Sequence, residues 1–149
     1  MAKNIHPVNA YVEAFTALTP ENVERLYDLV ADDVFFTDPF NVIHGKDGFC
    51  RIFDHMFETC ISPGFTVSDV AHSDAVSYLR WKMTGKLKSW PHTNLLFDGM
   101  TEVHVNSQGL VCRHIDHWDS ASQLMRDLPM IGLIIKPILK LFQLKPTKK

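Results

Sequence analysis

Apolar residues recur at helical spacing through the first sixty positions and at strand spacing through most of the remainder. Between Pro7 and Leu18, the residues Val8, Tyr11, Val12, Phe15 and Leu18 predict a one-faced amphipathic helix. Thr19-Pro20-Glu21 restarts the chain: Thr19 suits an N-cap, Pro20 the first helical position, and Glu21 complements the dipole. A second helix is expected there, with Val23, Leu26, Tyr27 and Val30 inward, stopping near Ala31-Asp32-Asp33. Val34 to Asp38 is β-branched and aromatic and reads as a short strand, whose end Pro39 holds extended. Phe40 to Gly45 reads as a loop. A third helix is expected from about Lys46 to Cys60, with Phe49, Ile52, Phe53, Met56 and Phe57 as its stripe, and Ser62-Pro63-Gly64 breaks it.

From Phe65 to Asp119 the period falls to two, and strands are expected at 65–72, 76–88, 95–106 and 111–119. Turns fall at Ser73-Asp74 and Ser107-Gln108-Gly109, and a loop at Ser89 to Thr93. The last strand alternates most strictly. It loads one face with Cys112, His114, Asp116 and Trp118, and the other with Val111, Arg113, Ile115, His117 and Asp119. Val and Ile would serve a plain core better, so this strand reads as a polar pocket wall. Three helices with one short strand among them, then a four-stranded antiparallel meander, predict an α+β fold: a curved sheet with helices over one face.

Ser120 is a plausible N-cap for a helical turn or two over Ala121 to Asp127. In Leu128 to Leu144, eleven of seventeen residues are Leu, Ile, Met or Phe, interrupted by Pro129, Gly132 and Pro137. That run is too short and broken to span a bilayer. It reads either as a hydrophobic cover on its own sheet or a partner, or as a Lys-spaced surface for an anionic membrane. Pro137 and Gly132 argue against one long amphipathic helix.

At 149 residues and 46% hydrophobic content, the chain is expected to be one globular domain, with a core over about 7–120 and a tail over about 121–149. Net charge is −2, unevenly spread: five Lys and no acid follow Asp127, leaving ten basic against seventeen acidic residues before it. An acidic body argues against nucleic acid as partner. Cys50 and Cys60 on one helix would lie roughly 15 Å apart, too far for a disulfide. Reduced thiols and an N-terminus without an apolar signal region lead to a cytoplasmic expectation.

Leu29-Val-Ala-Asp-Asp-Val-Phe-Phe-Thr-Asp-Pro39, Gly45 opening the third helix, Leu79-Arg-Trp-Lys-Met-Thr-Gly85 and Ile115-Asp-His-Trp-Asp119 occur in an order that resembles the SnoaL-like polyketide-cyclase and ketosteroid-isomerase superfamily. That superfamily shares the cone-shaped fold of nuclear transport factor two, and the resemblance covers about residues 7–120. It implies a cone-shaped α+β barrel whose three N-terminal helices and concave sheet face enclose an apolar pocket. It also implies a homodimer through the other sheet face.

Residue by residue, Asp38 falls where ketosteroid isomerases carry the base that moves a proton beside a carbonyl. A carboxylate in an apolar mouth is a stronger base than one in water. Ala14 aligns with the oxyanion tyrosine, with Tyr11 one turn away, and Thr101 aligns with the second, acidic, oxyanion donor. In the limonene epoxide hydrolases, which are related, Asp116 and Arg80 fall near catalytic positions. There, however, Phe36 and Asp38 stand for the water-holding Tyr and Asn, and Lys82 for the second Asp. Neither constellation is complete.

Asp38 reads either as a base or as a cap for the loop at Pro39. His114 and Asp116, two apart on one face, place their Cβ atoms about 6–7 Å apart. They read as an acid–base pair, the carboxylate setting the imidazole tautomer, or as a satisfied buried polar pair. His117 points the other way, so His114, Asp116 and His117 do not make a metal set, and Cys112 reads as a structural thiol. Arg80 either grips a ligand or pairs at a dimer surface.

The expectation is therefore a pocket for a small hydrophobic molecule, without cofactor or metal. Asp38, Asp116 and His114 are its candidate catalytic groups, and Tyr11, Phe15, Phe36, Phe53, Arg80, Thr101 and Trp118 its ligand-binding set. The corresponding activity is isomerase or cyclase chemistry. The alternatives are a non-catalytic binding or interaction module, or an epoxide-hydrolase-like enzyme.

Overall fold

The computed structural model describes residues 6–144. The chain divides into two compact units that meet between Trp118 and Asp119. The first is mixed α+β. Helix α1 (Val8–Thr16) and a single turn α2 (Glu24–Tyr27) lead into strands β1 (Val30–Thr37) and β2 (Val42–His44). Helix α3 (Lys46–Thr59) comes next, and then the long strands β3 (Cys60–His72), β4 (Ser77–Leu87), β5 (Asn94–Val105) and β6 (Val111–Trp118). All six strands form one sheet in the order β2-β1-β6-β5-β4-β3.

Several local expectations are corrected. The second helix is only four residues long, because the chain from Val30 is captured by the sheet. Thr19 does not cap it: Asn22 organises that turn, its Oδ1 accepting from Thr19 N–H at 2.8 Å and its Nδ2 donating to the Ala17 carbonyl at 2.6 Å. The sheet is not wholly antiparallel, since β1 runs parallel to β6, with Phe36 opposite His114. Residues 42–44, expected as loop, form β2, with Phe36 opposite Ile43. The chain leaves β2 through Gly45, whose φ of 89° lies in the left-handed region that favours glycine. Finally, α3 passes straight into β3 at Cys60, and Ser62-Pro63-Gly64 lies inside that strand at a register shift. A Pro that cannot donate to a ladder is tolerated at such a bulge.

The inward faces of β4, β5 and β6 set the site. Leu79, Trp81 and Met83 are buried on β4 while Arg80 and Lys82 are exposed, and Leu95, Phe97, Thr101 and Val103 are buried on β5. Register aligns Leu79 with Thr101 with Asp116 across three strands, and Trp81 with Gly99 with Trp118 one row along. A bulge between His104 and Val105 slips β6 by one residue, so Val111 is buried although its alternation partner Arg113 is exposed. Tyr11 and Phe15 of α1 and Phe49 and Phe53 of α3 are buried with these strand residues to make the core.

The second unit holds α4 (Ser120–Gln123), a 3₁₀ turn (Met125–Asp127) and α5 (Ile131–Leu141). Asp119, not Ser120, caps α4, accepting from Ser122 N–H at 3.0 Å. Helix α5 runs through Pro137 instead of breaking there. No helix among the described residues is long and apolar enough to cross a membrane.

Candidate functional site

A directed chain of buried hydrogen bonds crosses the inner side of the sheet. The Trp81 indole N–H donates to Thr101 Oγ1 at 2.7 Å, and Thr101 O–H in turn donates to Asp116 Oδ1 through a short contact. Asp116 Oδ1 also lies 3.0 Å from His114 Nε2, and Tyr11 Oη lies 2.7 Å from His114 Nδ1. An indole can only donate and a carboxylate can only accept, which orders the protons. His114 then carries its proton on Nε2, facing Asp116, and accepts at Nδ1 from the Tyr11 hydroxyl. Burial, and after it the Asp116 charge, hold the Tyr11 phenol well above its ordinary pKa, so it stays a donor.

Gly99 makes the first link possible. A Cβ at position 99 would sit 2.5 Å from two carbons of the Trp81 indole. Without it, the ring lies across the strand to reach Thr101, one row beyond its own partner. His114 is clamped by rings: Phe36 stacks on it at 5.1 Å, while Phe15 and Phe49 approach within 6.0 Å. It is fully buried, whereas the Asp116 side chain retains 15% exposure.

In front of this network lies a cavity of about 860 Å³. Asp116 forms part of its wall, with Trp118 and Phe97 stacked at 4.5 Å and Phe40 edge-on to Trp118 at 5.6 Å. Phe15, Phe36, Phe53, Phe65 and Trp81 also line it. Asp116 Oδ1 is occupied by Thr101 and His114, and Oδ2 takes no hydrogen bond from the described residues. Asp38 lines the same cavity, but its oxygens close the β1–β2 turn. Its Oδ1 accepts from Phe40 N–H at 2.8 Å, Asn41 N–H at 2.7 Å and Asn41 Nδ2 at 3.0 Å, and its Oδ2 from Asn41 Nδ2 at 3.1 Å.

Of the expected residues, Asp38, Asp116, Phe15, Phe36, Phe53 and Trp118 meet at the cavity. His114, Tyr11 and Thr101 stand behind its wall as hydrogen-bond partners and do not line it. Arg80 is a correction. Strand alternation turns it to the opposite sheet face, where it lines a shallow groove with Tyr78, Asp98, Met100, Glu102 and His117. An epoxide-hydrolase set that needs Arg80 beside Asp116 is therefore not assembled. Reading the sequence missed Trp81, Phe97 and Phe65, although their two-residue alternation signalled inward positions. Ile43 was missed because β2 was read as loop. Among the described residues, no three His, Cys, Asp or Glu side chains are grouped to hold a metal ion.

The sequence pattern of the SnoaL-like domain family matches residues 8–114. Solved structures share the fold. TsrD from Streptomyces laurentii superposes with a TM-score of 0.71 at 17% identity, over 85% of this chain and 98% of that one. A Catenulispora acidiphila protein of ketosteroid-isomerase-like fold, in complex with trimethylamine, gives 0.68 at 17% identity, over 85% and 96%. A Mycobacterium tuberculosis protein in complex with estradiol-17β-hemisuccinate gives 0.64 at 17% identity, over 76% and 95%. No curated protein sequence matches the chain.

Proposed function

This chain belongs to the SnoaL-like domain family, and we propose that it binds a small, largely apolar molecule in its cavity and moves a proton on it through Asp116. The observation that carries this reading is the asymmetry of the Asp116 carboxylate: Oδ1 is held by Thr101 and His114, Oδ2 takes no hydrogen bond from the described residues, and the residue lines the cavity. A cavity of about 860 Å³ walled by aromatic rings suits a drug-sized apolar ligand. The steroid ester bound by the M. tuberculosis protein is of that kind.

In the proposed step, Oδ2 accepts a proton from a carbon beside a carbonyl, and the C–H electron pair moves into the enol system. The same oxygen returns the proton to another atom, so the reaction is an isomerisation or ring closure that consumes no cofactor. His114 Nε2–H and Thr101 O–H keep the carboxylate oriented and solvate its charge in the apolar wall. His114 and Tyr11 are positioning residues, because neither lines the cavity. Asp38 shapes the mouth: its lone pairs are spent on the turn at Asn41. The outer sheet face around Arg80, Met100 and His117 is the surface proposed for a second copy of the chain.

A non-catalytic carrier is the second reading. It is favoured by Tyr11 and Thr101, whose hydroxyls point into the network instead of toward a ligand that needs an oxyanion donor. Titration with estradiol-17β-hemisuccinate tests the pocket shared by both readings. Binding is expected to quench the fluorescence of Trp81 and Trp118 and to be lost when Phe97→Asp charges the wall. Binding that survives this change would show that the ligand is held elsewhere than in this cavity.

A further inference from the structure

We propose that α5 and residues 142–144 form a docking surface for an anionic lipid bilayer, lying in the interface without crossing it. The helix is two-sided within its own unit. Gly132 is buried where an added Cβ would collide with the Arg126 carbonyl, and Ile135 and Leu139 are half-buried on that same side. The unit is thus already folded against the 3₁₀ turn, and what remains outward is a second apolar face. Ile131, Ile134, Ile138 and Leu141 recur at intervals of three and four and are all exposed. The face continues through Leu133, Phe142 and Leu144, which are 77%, 84% and 95% exposed.

Charge and area select the occupant. Lys136 and Lys140, one turn apart, edge this face and are exposed, and the sequence from 128 to 149 holds five Lys and no acid. An aliphatic stripe with Lys136 and Lys140 along one side, Lys136 also near Asp127, complements an anionic surface into which apolar side chains can sink. A protein partner is a poorer fit. Eleven residues of helix are roughly 16 Å long, so the stripe offers far less than the roughly 800 Å² per side of a stable interface. Only Lys136, Lys140 and Gln143 stand beside it to fix register with a partner. Crossing is excluded for this helix, which is too short.

The test is flotation of the full chain with phosphatidylcholine vesicles, with and without about 30% phosphatidylglycerol. The expected result is at least about tenfold more protein on the anionic vesicles. Ile134→Asp with Leu141→Asp should abolish binding. Lys136→Gln and Lys140→Gln should each lower it by about fivefold. All four side chains are exposed, and circular dichroism of each variant checks that the fold is kept. Equal binding to neutral vesicles, no binding to either, or binding indifferent to the aspartates would overturn the proposal. So would a sedimenting dimer that the aspartates dissolve in the absence of vesicle binding, which would assign the face to a second copy.

Discussion

The hydroxyl of Tyr11 and Nδ1 of His114 lie 2.7 Å apart, although 103 positions separate them in the chain. That bond ties α1 to β6 and gives the Nδ1 lone pair of His114 its donor, while the acceptor-only Asp116 carboxylate holds the proton on Nε2. The carboxylate at the cavity wall is set by a residue that never touches the cavity.

Tyr11→Phe removes one partner of a buried bond and leaves His114 Nδ1 unsatisfied. The expected loss is about 1–3 kcal/mol in urea unfolding, with the ¹⁵N shift of His114 Nδ1 moving as that nitrogen loses its donor while Nε2 keeps its proton for Asp116. An unchanged Nδ1 shift would show that Tyr11 does not donate to His114.

Thr101→Val keeps the shape of the side chain but deletes the link between Trp81 and Asp116. The indole N–H, buried, then lacks an acceptor, and a cost of about 1–3 kcal/mol is expected. Thr101→Ser should restore most of it, since the hydroxyl alone makes both bonds.

Asp38 is expected to behave as a turn element. Asp38→Ala loses four hydrogen bonds at the β1–β2 connection and should cost about 1–2 kcal/mol. Asp38→Asn keeps an oxygen for the two backbone N–H donors and should cost less than half of that. Thermal melts of the two variants distinguish this from a strained functional carboxylate, whose removal would be neutral or stabilising.

Alkali should unfold the protein through two tyrosines. Burial raises the Tyr11 pKa, as does the Asp116 charge; burial also raises that of Tyr27, followed by its 2.7 Å hydrogen bond to Asp54. A folded-state pKa above the unfolded value means that stability is fully present below the unfolded pKa. It falls as pH rises past about 10, where the unfolded chain releases protons that the native state keeps. A titration of phenolate absorbance should show these two groups ionising only together with loss of near-ultraviolet ellipticity.

The fold class and part of the cavity wall were legible because they rest on local periodicity. Alternation placed His114, Asp116 and Trp118 on one face, and the spacing of Phe49 and Phe53 gave α3 its buried side. What escaped depends on distant pairing. β1 extends back to Val30 and β2 exists because β6 and β1 supply edges for them, and no window around Ala31 or Val42 contains that edge. Arg80 was read as either a ligand grip or a dimer-surface residue, and its neighbours Leu79 and Trp81, buried on the inner face, assign it to the outer one. The Tyr11–His114 bond had no local signal at all.

Whether Asp116 is the proton-moving group is tested most directly by proton exchange. Exchange of hydrogens beside the carbonyl, followed by NMR in D₂O over a panel of cyclic and polycyclic ketones, compares the wild type with Asp116→Asn and Asp38→Asn. Catalysed exchange is expected in the wild type, with a fall of about 10²-fold or more in Asp116→Asn and a rate within about threefold of wild type in Asp38→Asn. Exchange that survives in Asp116→Asn and is lost in Asp38→Asn would contradict that role for Asp116, and return the base to the turn at Pro39.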